Sequence, residues 1–291
     1  MRGSGAMRRR KHTVLPLAAV CALALLSLTA VTAAWFTNNA KVNTSRAVSR
    51  TAVQSVELQV SSKGGDDFSG GREADIVQVN SAEMTRLMPV STADLATFVQ
   101  PPATVDGYAV SFQRVEDERD YYHGRVYLRA TADAAESGRK LAVYLDEGAG
   151  SGGALAVGGA AGSQLLHAAR LGLVFDGKQE SAVIFRLSEE KNAEGDRTLN
   201  TKLDGAVLEE GSVLAWTGTA AKAVADPAVL TKDRAVGTDG TVPEKPLLEM
   251  ELGRVYQVDV YFYLEGCDPD CTESIAFDDG YLHLAFYGVL C

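Results

Sequence analysis

The stretch VYQVDVYFYLEG, residues 255–266, alternates along its length. Val258, Val260, Phe262 and Leu264 fall on one side of an extended chain. Gln257, Asp259, Tyr261, Tyr263 and Glu265 fall on the other. A period of two in β-branched and aromatic residues is the pattern of a strand with one face in a core. YLHLAFYG, residues 281–288, repeats it, with Leu282, Leu284 and Phe286 set against Tyr281, His283, Ala285 and Tyr287. One core face and one wet face per strand is the mark of antiparallel sheets.

Working back from these two strands, VQSVELQV (Val53–Val60) alternates in the same way, with Val56, Leu58 and Val60 on one face. Shorter apolar runs predict strands at Ile76–Val79, Tyr108–Val115, Arg125–Ala130, Lys140–Leu145, Leu171–Phe175 and Val183–Leu187. Turn-rich segments such as SSKGGDDFSGG and ADAAESG separate them. The fold predicted is mainly β: an antiparallel β-sandwich of jelly-roll type with one or two short helices. The helices are placed at Ser163–Arg170, capped by Ser163, and at Ser91–Val99, capped by Ser91 or Thr92. Between Ser188 and Pro246 the chain turns polar and its one aromatic is Trp216. This excursion, at about residues 188–246, is either a partner-binding surface or a solvated insertion.

The beginning of the chain is of another kind. Arg8, Arg9, Arg10 and Lys11 precede an uncharged run from Thr13 to Phe36. A basic end followed by an apolar run is the layout of an export signal. Thr32 and Ala34 suit the small-residue positions of a cleavage site between Ala34 and Trp35. The run is also near the ~20 residues that span a bilayer, and Trp35-Phe36 would suit an outer interface. Both readings stand: a removed signal, residues 1–34, or a membrane anchor through residues 13–36. Either way residues 35–291 form one exported β-sandwich domain. Five of the 28 basic residues precede residue 35 and none of the 38 acidic ones does, which leaves the body at −15. So acidic a body repels nucleic acid and anionic lipid.

CDPDC, Cys267–Cys271, holds two cysteines about a proline turn, and an oxidising destination would let them form a small disulfide. Cys291 is left over, free or paired with another chain. Glu265, Asp268, Asp270, Asp278 and Asp279 cluster here. Their oxygens make calcium the cation to consider, with Asp268, Asp270, Asp278 and Asp279 as candidate ligands, although the spacing is not that of an EF-hand and Asp is an ordinary turn residue. Zinc would need four Cys or His ligands, and His123, His167 and His283 are scattered. Gly148–Gly153, GAGSGG, matches a dinucleotide fingerprint with Asp176 downstream. The glycines that follow would each weaken the required helix by about 1 kcal/mol, so a surface loop is expected.

AAWFTNNAKV, following such an apolar run, resembles the signal class of bacterial TasA-like and camelysin-like surface proteins; the match covers residues 8–42. The resemblance implies a dedicated signal peptidase, SipW. It also implies an exported β-sandwich protein of a Gram-positive bacterium, in a family some of whose members build biofilm matrix fibres. VYFYLEGCDPDC further resembles an end-of-domain motif of uncharacterised clostridial exported proteins. Camelysin relatives are described as metalloproteases, but no histidine here is followed by Glu, so H-E-x-x-H is absent, as is G-x-S-x-G. The function expected is a non-enzymatic cell-surface or matrix protein. It would self-associate or bind other surface proteins, with pairing through Val53–Val60 as an open edge. A membrane-anchored binding module and an exported metal-dependent hydrolase are the alternatives.

Overall fold

The computed structural model describes residues 40–291 except 53–54, 65–66, 70, 80–85, 103, 106–107, 117–119, 137, 147–164, 189–200, 210, 227–234, 238, 272–274 and 276–278. The leader, the Ala34–Trp35 junction, the GAGSGG loop and Asp278 therefore lie outside the described residues.

Strands dominate. β1 (Ala40–Thr51) and β2 (Val56–Ser61) are followed by β3 (Glu73–Asp75), β4 (Val77–Gln78), β5 (Arg86–Leu87), β6 (Pro89–Val90) and β7 (Val99–Gln100). β8 (Thr104–Val105), β9 (Tyr108–Ala109) and β10 (Gln113–Arg114) lead to the long β11 (Tyr122–Ala132) and β12 (Lys140–Asp146). One helical turn, α1 (Leu165–Ala168), runs into β13 (Ala169–Phe175) and β14 (Lys178–Arg186). β15 (Lys202–Leu203), β16 (Ala206–Val207), β17 (Ser212–Trp216), β18 (Ala221–Ala225) and β19 (Ala235–Val236) belong to the excursion. β20 (Leu248–Glu251), β21 (Val255–Glu265) and β22 (Asp279–Leu290) close the chain.

Two seven-stranded sheets organise these elements. The first runs β19-β12-β22-β1-β3, with β20 also on β12 and β5 on β1; the second runs β14-β13-β21-β11-β2, with β4 on β11 and β6 on β21. The second is antiparallel except at β6. The first departs from the expected antiparallel order, because β1 lies parallel to β22, with Ala47 opposite Leu284 and Ser49 opposite Phe286.

Both sheets feed one apolar cluster. Leu141, Val143, Leu145, Leu282, Leu284 and Phe286 come from the first sheet; Val126, Leu128, Leu171, Leu173, Val258, Val260 and Phe262 come from the second. All are essentially buried. Each such side chain stabilises the fold by about 1.5–3 kcal/mol relative to exposure. The alternation of residues 255–266 thus does place Val258, Val260, Phe262 and Leu264 inward.

The other face of β21 is not wet. Asp259, Tyr263 and Glu265 are 4%, 0% and 1% exposed. A second, smaller cluster covers it: Val90, Leu95, Phe98 and Tyr121 pack on Val174, Ile184 and Tyr263. Phe98 stacks on Tyr121 at 3.9 Å between centroids and meets Tyr263 edge-on at 5.4 Å. The approach is close, since a Cβ added at Gly172 would lie 2.4 Å from Leu95 Cδ2.

The predicted helices shrink. At residues 91–99 Thr92 Oγ1 does accept the amide of Leu95, at 3.1 Å. Leu95 then turns left-handed at φ 59°, which ends any helix, and Asp94 Oδ1 takes the amides of Ala96 and Thr97. At residues 163–170 four residues are helical, and Ala169 and Arg170 already belong to β13. Tyr108–Val115 is two short strands with local partners rather than one, Tyr108 facing Val105 and Gln113 facing Gln100. Asp176 closes the β13–β14 hairpin with Gly177, at φ 53° and 64°, the geometry of a tight two-residue turn.

Candidate functional site

On the covered face of the second sheet, three side chains stand in a row across three strands. Arg186 of β14 is the register partner of Arg170 of β13, which is the partner of Tyr263 of β21. Two residues on, Glu265 lies on the same face. The chain then folds into the CDPDC turn, where Asp268 N donates to Glu265 O at 3.0 Å and Cys271 N donates to Asp268 O at 2.9 Å.

The turn delivers Asp268 to Arg170. Oδ2 accepts from the guanidinium at 2.7 Å, and Oδ1 accepts the Asp270 amide at 2.9 Å. The excursion delivers a second carboxylate: Asp226, just past β18, lies 2.7 Å from Arg186 and 3.4 Å from Arg170. The Arg170 side chain is 1% exposed, Asp268 5% and Asp226 10%. Burial alone would favour neutral Arg170, but Asp268 and Asp226 outweigh it and raise its pKa. Two arginines and two aspartates therefore balance in the protein interior, where an unpaired ion costs several kcal/mol.

Among its described residues, the part of the excursion around β17 is docked. Leu214 of β17 packs with Val99 and Cys267, and Leu203, Leu208 and Trp216 border them. The amide of Leu214 donates to Ser91 Oγ at 2.8 Å, and the Cys267 thiol reaches the same oxygen at 3.8 Å. Glu265 Oε1 accepts the Cys267 amide at 3.1 Å. Glu265 Oε2, Tyr263 OH, Arg170 Nε, Arg186 Nε and Asp226 Oδ1 are buried without a hydrogen-bond partner. Burial pushes the Glu265 carboxyl up to about 7, against the pull of Arg170 and of the Ser91 hydroxyl.

The expected Cys267–Cys271 disulfide is not formed, and both thiols are free and buried. The reason is direction: Cys267 packs with Val99 and Leu214, whereas Cys271 joins the main core. Burial raises the pKa of both thiols, so neither is a ready nucleophile. Of the calcium candidates, Asp268 spends both oxygens within the protein, Asp270 is buried, and Asp279 opens β22 opposite Lys41. Among the described residues, no group of three or more His, Cys, Asp or Glu is arranged to hold a metal ion. Asp176, the acidic residue of the dinucleotide fingerprint, accepts the Gln257 amide at 3.1 Å and pairs with Arg254.

A second polar group lies farther along β21. Asp259 accepts from Arg125 Nε at 2.7 Å and Gln257 Nε2 at 2.6 Å, and meets His123 Nε2 at 3.1 Å. The His123 ring stacks on Tyr261 at 4.4 Å. Burial would raise the Asp259 pKa, but the bonds from His123, Gln257 and Arg125 prevail and lower it.

Sequence reasoning found the CDPDC turn and missed its partners Arg170, Arg186 and Asp226. A signal was present, in that Arg170 interrupts the apolar run ARLGLVF of a strand whose every residue is buried. Comparison of the chain with family models, curated proteins and solved structures returns no match.

Proposed function

We propose that the chain is an exported, non-enzymatic surface protein whose two seven-stranded sheets are the layers of a β-sandwich. The observation that carries this reading is the partition of charge: a basic end and an uncharged run precede a body at −15 that holds every acidic residue. The resemblance of residues 8–42 to TasA-like and camelysin-like signals supports it and suggests assembly between copies into a matrix. The fit of Trp35-Phe36 to an interfacial aromatic pair favours a second form of the same reading, a body held at the membrane by residues 13–36.

Within this proposal, copies pair along β14 rather than along Val53–Val60. The outer edge of β2 is already used: Ser49 Oγ donates to Leu58 O at 2.5 Å, Thr51 Oγ1 to Val56 O at 2.7 Å, and Val60 N to Gly71 O at 2.9 Å. β14 ends its sheet, with no strand beyond it among the described residues. Cell fractionation with N-terminal sequencing of the native protein is the test. A first residue at Trp35 outside the cell supports release, and an intact leader in the membrane supports the anchor. An intact leader on cytoplasmic protein overturns both.

A further inference from the structure

We infer that Glu265 is a proton-operated latch for the docked excursion: neutral, it leaves the two arginines and two aspartates in balance, and ionised, it adds a third negative charge to the same enclosure. The geometry carries this. Arg170 stands opposite Tyr263, two residues before Glu265 on the same face, its charge acts on the Glu265 carboxyl, and Arg186 lies beyond it on β14. Asp226 comes from the excursion and Asp268 from the following turn, and both are taken up by those arginines. The remaining titratable groups about it, Tyr263 on its own strand and Cys267 and Cys271 on the turn, are held neutral by burial. Asp270, buried on that turn, faces the enclosure only through its amide bond to Asp268 among the described contacts. Glu265 Oε1 accepts an amide and Oε2 has no hydrogen-bond partner, so a full negative charge on this carboxyl is poorly satisfied in the docked state.

The link to the excursion is one hydroxyl long. The Ser91 hydroxyl pulls down the pKa of the Glu265 carboxyl and accepts the amide of Leu214 in β17. Cys267, next to that carboxyl, packs on Leu214. Undocking the hairpin opens this contact and returns Glu265 to water. A carboxyl raised to about 7 when enclosed and near 4.5 when free holds its proton more tightly in the docked state. The docked state therefore has its full advantage below pH ~4.5 and loses it as pH rises through about 7.

The test follows amide exchange of Leu214 in the full chain from pH 5 to 8.5, corrected for intrinsic base catalysis. Protection is expected to fall by about a hundredfold across that range, with the Glu265→Gln variant keeping its protection at pH 8.5. A wild-type profile without that fall, or a Gln variant that titrates like wild type, overturns the latch. If the variant does not fold, the Glu265 side-chain carboxyl 13C shift of the wild type decides. A midpoint near 7 upholds the latch and a midpoint below 5 refutes it.

Discussion

The two sheets close on the same core yet differ on their far sides. On the first, Arg50 holds Asp146 with two bonds and lies 4.7 Å over the Tyr287 ring, but its side chain is 41% exposed. Arg46 and Glu73 pair at 54% and 43% exposure. On the second, Arg170 is 1% exposed beneath a layer drawn from residues 90–121 and the excursion. Water reaches Arg46, Glu73 and Arg50 on the first face and is excluded from Arg170 and Asp268 on the second. Exposed pairs on the first face, such as Arg46–Glu73, are therefore individually dispensable, whereas the buried ions on the second depend on one another.

The largest effect should come from Arg170→Ala, which takes the cation from buried Asp268 and leaves Asp226 to Arg186 alone. A loss of about 3–5 kcal/mol is expected in urea unfolding, the range for one partner removed from a buried pair. Gly172→Ala should come next. Its methyl would strike Leu95 and cost about 1–3 kcal/mol, and Leu95→Ala in the same chain should recover part of the loss. The smallest is Lys140→Ala on the first sheet. Lys140 and Glu249 pair at 3.2 Å with both side chains 54% exposed, so the urea midpoint should not move. An Arg170 variant no weaker than the Lys140 variant would erase the contrast between the two faces.

How much of this was legible follows from where each signal is stored. The inward set Val258, Val260, Phe262 and Leu264 can be read from its own strand, because a period of two is a local property. That Tyr263 and Glu265 are buried as well cannot, since their cover comes from Phe98, Leu214 and Asp226, far away in the chain. β1 escaped notice for the opposite reason. Its inward residues Ala47, Ser49 and Thr51 are small or polar, and the two hydroxyls face the backbone of β2 rather than a greasy core. The excursion reads as polar because its apolar contacts are few, yet Leu214 is 1% exposed. CDPDC suggested a covalent staple from its proline turn, its spacing and the expected export, none of which says which way two thiols point.

The most direct measurement is native-state amide exchange on Arg170→Ala, comparing Leu214 with Val260 of β21. If buried ions pin the excursion to the second sheet, Leu214 loses most of its protection while Val260, inside the main core, stays protected under native conditions. Equal loss at both positions, or none at Leu214, would contradict the account.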